Sequence, residues 1–247
     1  MKTSLTTIAA TALLHSTLSA ANIAIVNHSF EDTTGQNPYF EFTFGRPAGW
    51  TIYDPNDIHP SSGLAIGTLM PNGTDFFNST APDGDRVAIL YNRTRRGDGE
   101  YGYEQTLVTT LQSETFYTLT VEVGNIASGA DTNGSNYNLN GFPGYRVELL
   151  AGGTVISVDN NSLIIPEGEF ALSTVSFTTG ATHALLGQNL SIRLVSENVI
   201  DPIDTDAYLE VDFDDVQLST AAAPVPEPSS TLLIGLGGLA MIFRRRD

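Results

Sequence analysis

Leu209-Glu210-Val211-Asp212-Phe213-Asp214-Asp215-Val216-Gln217-Leu218 is the stretch that decides the fold class. Large apolar and acidic residues alternate along it. In an extended chain successive side chains point to opposite faces, so Asp212 and Asp214 share one face while Val211, Phe213 and Asp215 share the other. The same two-residue period recurs upstream. Thr115–Val123 (TFYTLTVEV), Leu172–Thr178 (LSTVSFT) and Leu190–Val195 (LSIRLV) all alternate. Tyr145–Leu150 and Thr154–Val158 flank Ala151-Gly152-Gly153, a hairpin signal. Gly, Asn, Asp and Pro clusters separate these runs, and no stretch holds a helical period over a dozen residues. Many short strands at this spacing predict an all-β fold, a single jelly-roll β-sandwich.

Composition narrows the partners. The chain has 247 residues, 41% of them hydrophobic, with a net charge of −17. Only 16% are charged, against about a quarter in ordinary soluble domains. All the acids except Glu227 and Asp247 lie between Asn22 and Val225, where the basic residues are Arg46, Arg86, Arg93, Arg95, Arg96, Arg146 and Arg193. Nucleic acid is excluded as a partner, because phosphate neutralisation needs a basic face. With no cysteine there is no disulfide and no thiol chemistry. His15, His28, His59 and His183 are scattered, without the spacing of a zinc site. Clustered acids leave room for a hard cation.

The two ends carry an address. Met1–Ala21 has Lys2, an apolar or small run, and Ser19-Ala20-Ala21, which predicts a secretory signal cleaved after Ala21, with Ala20 the alternative. Residues 22–220 form the expected folded domain, and 221–247 a linker and tail. The tail orders Pro226-Glu227-Pro228, an apolar segment Thr231–Phe243, and Arg244-Arg245-Arg246. That apolar segment is shorter than the roughly 20 residues that span a bilayer comfortably. The arginines would stay cytoplasmic. The three parts in this order resemble the PEP-CTERM sorting signal. The resemblance implies an exosortase and the export machinery as partners, a transient inner-membrane anchor through a C-terminal hydrophobic helix, and an outer-envelope or extracellular destination.

Two further resemblances concern the middle. Asn27-His28-Ser29-Phe30-Glu31, Gly49-Trp50 and Phe213-Asp214-Asp215-Val216-Gln217-Leu218 resemble the closing strands of carbohydrate-binding-module-like jelly rolls. That likeness implies a structural calcium ion held in part by Glu31 and Asp214. More of the chain is similar to the calcium-dependent cyclases of hapalindole and fischerindole biosynthesis. The segments are Gly49–Asn56, Tyr103–Leu107, Phe142–Gly153, Pro166–Phe170, Leu186–Gln188 and Glu210–Asp214. In those enzymes an acidic side chain in an aromatic pocket protonates an indolenine. With Asp214 given to calcium, the likeness makes Asp212 the candidate acid.

Trp50, Tyr101, Phe142 and Tyr145 are the expected ligand-pocket residues. They serve equally as a platform for a sugar, since a π-face packs on pyranose C–H groups. Arg93-Thr94-Arg95-Arg96-Gly97-Asp98-Gly99 is the one basic cluster, and Asp83-Gly84-Asp85 resembles a fragment of a calcium loop. The first reading is a non-catalytic envelope or matrix protein with a calcium-stabilised domain that binds exopolysaccharide or another glycan. The second is a calcium-dependent cyclase-like enzyme using Asp212 on a hydrophobic substrate of indole-terpenoid type. The third is a structural exopolysaccharide-associated protein without a specific ligand. The export tags favour the first, and a homodimer is left open.

Overall fold

The computed structural model describes residues 20–59, 64–93 and 99–223. Most of the expected signal, the sorting residues Pro226, Glu227, Pro228, Arg244, Arg245 and Arg246, the expected C-terminal helix, and Arg95 and Arg96 lie outside the described residues. Fifteen strands follow one another: β1 (Ala21–Ile23), β2 (Asn37–Tyr39), β3 (Phe42–Phe44), β4 (Thr51–Tyr53), β5 (Leu64–Leu69), β6 (Val87–Asn92), β7 (Tyr101–Thr110), β8 (Thr115–Asn125), β9 (Gly129–Ala130), β10 (Asn136–Tyr137), β11 (Tyr145–Ala151), β12 (Thr154–Asn160), β13 (Glu169–Thr178), β14 (Asn189–Ser196) and β15 (Leu209–Ala222). Among the described residues there is no helix, and so none long and apolar enough to cross a membrane.

An eight-stranded antiparallel sheet runs β13-β8-β15-β6-β5-β3-β2, with β1 also paired to β15. A five-stranded sheet runs β12-β11-β14-β7-β4. The two pack face to face. The core between them takes Ala88, Leu90, Leu119, Val121, Val123, Val211 and Phe213 from the larger sheet. Tyr101, Tyr103, Val147, Leu149, Ile192 and Leu194 come from the smaller. These are the inward positions of period-two strands, and their burial is the main force holding the layers together.

The larger sheet also buries its other face. A second apolar cluster there contains Phe42, Leu69, Val87 and Ile89 from strands, Phe76, Phe77 and Ala81 from the β5–β6 connection, and Ile126 and Leu139 from the segment after β8. The backbone bonds Ala127 N–H to Phe76 O (3.0 Å) and Asn78 N–H to Gly168 O (2.9 Å) tie these connections down. The acidic face of the last strand is therefore roofed over.

The expected alternation holds along β15 up to Asp214 and then slips. Pairing with β8 shifts between Asp214 and Gln217, and Asp215 takes φ +45. This bulge returns Val216 and Leu218 to the core in the phase of Phe213. Asp215 is turned out of the core, so it does not share the face of Val211 and Phe213 as the unbroken period predicts.

Candidate active site and acidic metal cluster

The acidic face of β15 lies beneath the second apolar cluster. Glu210 is opposite Tyr91 on β6, and Asp212 is opposite Ile89 on β6 and Gly124 on β8. Gly124 is needed here: a Cβ at that position would lie 2.6 Å from the Phe170 ring and 3.0 Å from the Asp212 Cβ. The space it leaves lets Phe170 lean over the acid, stacked on Phe77 with centroids 4.3 Å apart. Asp212 is 0% exposed, and neither of its carboxyl oxygens has a hydrogen-bond partner among the described residues. Glu210, 4% exposed, has an unpartnered Oε1, and the Tyr91 and Tyr101 hydroxyls are also buried without partners.

Burial lifts both carboxyls out of the ordinary carboxylate range, and the Glu210 charge pushes Asp212 further up. A carboxyl without donors in apolar surroundings holds its proton. A cavity of about 30 Å3 meets Glu210, walled by Phe42, Phe44, Ile89, Tyr91, Tyr137 and Leu139. Phe44, Tyr91 and Tyr137 also border a wider opening of about 360 Å3, with Arg93, Ser135 and Asn136 at its rim. The arrangement is a buried acid pair beneath aromatic rings, with a route to the surface. Chemically it can give a proton to a weak base and shield a cation from water.

The four expected pocket residues sit elsewhere. Trp50 is 1% exposed and stacks on Phe30 at 5.3 Å, its indole N–H donating to Asn27 O. Tyr101 and Tyr145 are fully buried in the inter-sheet core, and Phe142 is half-buried against Tyr145. Their places follow from the period: core-facing positions of strands take the large rings. Of the four, Tyr101 is electrostatically coupled to an acid of the site, Glu210. Phe77 is among the aromatic residues that the sequence offers for a pocket, whereas Glu210 and the rings of Phe42, Phe44, Tyr137 and Phe170 are not picked out as site residues. The only signal for Glu210 is its phase with Asp212. The rings come from separate connections that no single run reveals.

Glu31 and Asp214 are brought together by the loop before β6. Glu31 Oε1 accepts the backbone N–H groups of Asp85 and Arg86, both at 2.7 Å. Asp214 Oδ2 accepts that of Asp83 at 2.9 Å, while its Oδ1 is buried and unpartnered. Gly84 allows the turn, with φ +75 and a Cβ position 2.5 Å from Glu31 Oε1. His28, Asp83 and Asp215 each bring a ligand atom within 4.8 Å of one another. Burial pushes Asp214 up to about 8, with Asp83 and Asp215 adding repulsion against the bonds from their backbones. Crowded carboxylates with a spare buried oxygen are a donor set that suits a hard cation. The Asp83-Gly84-Asp85 fragment was the legible trace of it.

Residues 21–219 match the HpiC1 cyclase family. The chain belongs to that family. An apo-form cyclase from Fischerella sp. is 38% identical, with 84% of this chain and 99% of that chain covered and a TM-score of 0.72. The Stig cyclase Fisc from Fischerella sp. TAU, solved with (3Z)-3-(1-methyl-2-pyrrolidinylidene)-3H-indole, is 38% identical over 83% of this chain and 100% of its own, with a TM-score of 0.70. A cyclase from Fischerella sp. TAU in complex with 4-(1H-indol-3-yl)butan-2-one gives 38%, 83%, 100% and 0.71. No curated protein matches the chain. Residues 224–246 match the PEP-CTERM protein-sorting motif. This HpiC1 cyclase family member is thus exported, anchored in the membrane through its tail and cut by an exosortase.

Proposed function

We propose that the domain is an acid-dependent cyclase acting on a hydrophobic, indole-bearing substrate, with Asp212 as proton donor. The observation that carries this reading is the fully buried Asp212 carboxyl without a single hydrogen-bond donor, covered by Phe170 and Phe77. A carboxyl in that setting is an acid that keeps its proton until a basic atom arrives. The Asp212 O–H bond breaks as a substrate N–H or C–H bond forms, and the cation produced is attacked by a π bond of the same molecule. The rings around the site stabilise the positive charge and keep out water that would capture it. The cavity of about 30 Å3 is too small for an indole, so substrate entry has to move some of the side chains that line both it and the wider opening, Phe44, Tyr91 and Tyr137.

The metal cluster is assigned to calcium, with Glu31, Asp83, Asp214 and Asp215 as the residues that would hold it. A bound ion there supplies charge neutralisation, pinning the β15 bulge to the loop before β6. Chelation is expected to lower the melting temperature, and added calcium to restore it by mass action. A melt indifferent to both contradicts the assignment.

The glycan-binding reading offered Trp50, Tyr101, Phe142 and Tyr145 as a sugar platform, and Trp50, Tyr101 and Tyr145 are buried. A titration of the mature protein with 4-(1H-indol-3-yl)butan-2-one and with a glycan panel separates the two readings. The cyclase reading expects saturable heat with the indole and none with glycans. The reverse pattern would sink it.

A further inference from the structure

Three rings line both the cavity beside Glu210 and the wider opening: Phe44, Tyr91 and Tyr137. A ligand that passes from one space to the other meets all three. The Phe44 ring has no polar atom. The Tyr137 hydroxyl is committed, donating to Asp131 Oδ2 at 3.2 Å. The Tyr91 hydroxyl is buried and has no hydrogen-bond partner among the described residues.

Tyr91 is firmly mounted. It lies opposite Ala65 on β5 and Glu210 on β15, so its backbone is held on both sides. The Tyr208 ring packs edge-on against it, with centroids 5.8 Å apart. Asp212 pairs with Ile89, two residues before Tyr91, which makes the acid and the tyrosine diagonal neighbours. Such neighbours are roughly 7–8 Å apart along one face of an antiparallel pair, so one small ligand can touch both. Burial raises the Tyr91 pKa and the Glu210 charge adds to it, so the phenol keeps its proton and remains a donor. The fold gains nothing from this hydroxyl. A phenylalanine would fill the same space without burying an unpaired donor.

We propose that the Tyr91 hydroxyl is a substrate-binding donor, which takes a hydrogen-bond acceptor on the substrate and so positions the indole-bearing skeleton over Asp212. This rests on the cyclase reading of the site. It narrows the substrate class: the molecule is hydrophobic but carries one acceptor atom, a carbonyl oxygen or an sp2 nitrogen, set apart from the atom that Asp212 protonates. An all-hydrocarbon side chain gains nothing from Tyr91. A site built around a fixed donor discriminates between two such substrates more sharply than apolar packing does.

The test is isothermal titration of the mature protein and of Tyr91→Phe with two ligands. One is 4-(1H-indol-3-yl)butan-2-one; the other is 3-butylindole, the same skeleton without the carbonyl. Tyr91→Phe is expected to bind the ketone about tenfold more weakly, the scale of a buried acceptor left unpaired. It is expected to bind 3-butylindole within about twofold of wild type, because loosening of the pocket would act on both ligands and only the hydroxyl–carbonyl contact separates them. The variant should also melt no lower than wild type, since the hydroxyl has no partner in the free protein. Equal loss on both ligands, with or without a lowered melt, marks Tyr91 as structural and overturns the inference. No loss on either ligand overturns it too. In both cases wild-type binding of the ketone leaves the cyclase reading standing. Failure of wild type to bind the ketone overturns the cyclase reading, and the inference with it. Tyr91→Leu, read by the same difference, replaces the phenylalanine variant if that does not fold. Indole itself replaces 3-butylindole if that binds too weakly to read.

Discussion

Asp159 and Glu210 are both buried acids, and their neighbours treat them in opposite ways. Burial alone would lift Asp159, but Ser173 (2.6 Å), Tyr145 (2.7 Å) and the Ser162 backbone (3.1 Å) donate to it and hold it below the ordinary carboxylate range. Tyr145→Phe removes one donor from that carboxylate and is expected to cost about 1–3 kcal/mol in urea unfolding. Glu210 has no such donors, and burial raises it. Its folded value lies above its unfolded one, so the folded state binds the extra proton. The associated stability is therefore present at acid pH and lost as pH rises from the carboxylate range through the raised value. For calcium-free protein the melting temperature is expected to fall between about pH 5 and about pH 9, and to fall less in Glu210→Gln. Parallel slopes in the two proteins would contradict a raised Glu210.

At the scale of the element, β15 packs the inter-sheet core on one face and holds the buried acids Glu210 and Asp212 on the other. Phe213 is fully buried between the sheets and pairs with Val123 and Ala88. Phe213→Ala is expected to cost about 3–5 kcal/mol in urea unfolding, the scale of a buried ring replaced by a cavity. Glu210, three residues earlier on the opposite face, should lose nothing comparable when made neutral. This two-sidedness explains what the sequence could and could not reveal. The six runs read as strands all fold as strands, because alternation against a core is a local property. Asp212 was legible for the same reason, as the acid in phase with Asp214. Its cover was not, since Phe77 and Phe170 lie far apart in sequence and meet only through Gly124. The expected pocket rings Trp50, Tyr101 and Tyr145 are large and alternate correctly, and that same regularity put them into the core. The bulge at Asp215 escaped because its cause is pairing with β8 and the His28 backbone, which accepts the Val216 N–H at 3.0 Å.

At the scale of the whole molecule, a sandwich of the HpiC1 cyclase family is joined to a PEP-CTERM tail. Such a chain does its work beyond the cytoplasm, so the indole-bearing substrate proposed above has to be exported or formed outside. The absence of cysteine leaves the folded domain without disulfides. Its rigidity comes from the two-layer core. The most direct test of the central claim is conversion of an indolenine bearing a prenyl-derived side chain by the mature, calcium-loaded protein, followed by mass spectrometry and NMR. The account predicts a cyclised product of unchanged mass, formed about 10²–10⁴-fold more slowly by Asp212→Asn. Equal rates from wild type and Asp212→Asn would contradict it.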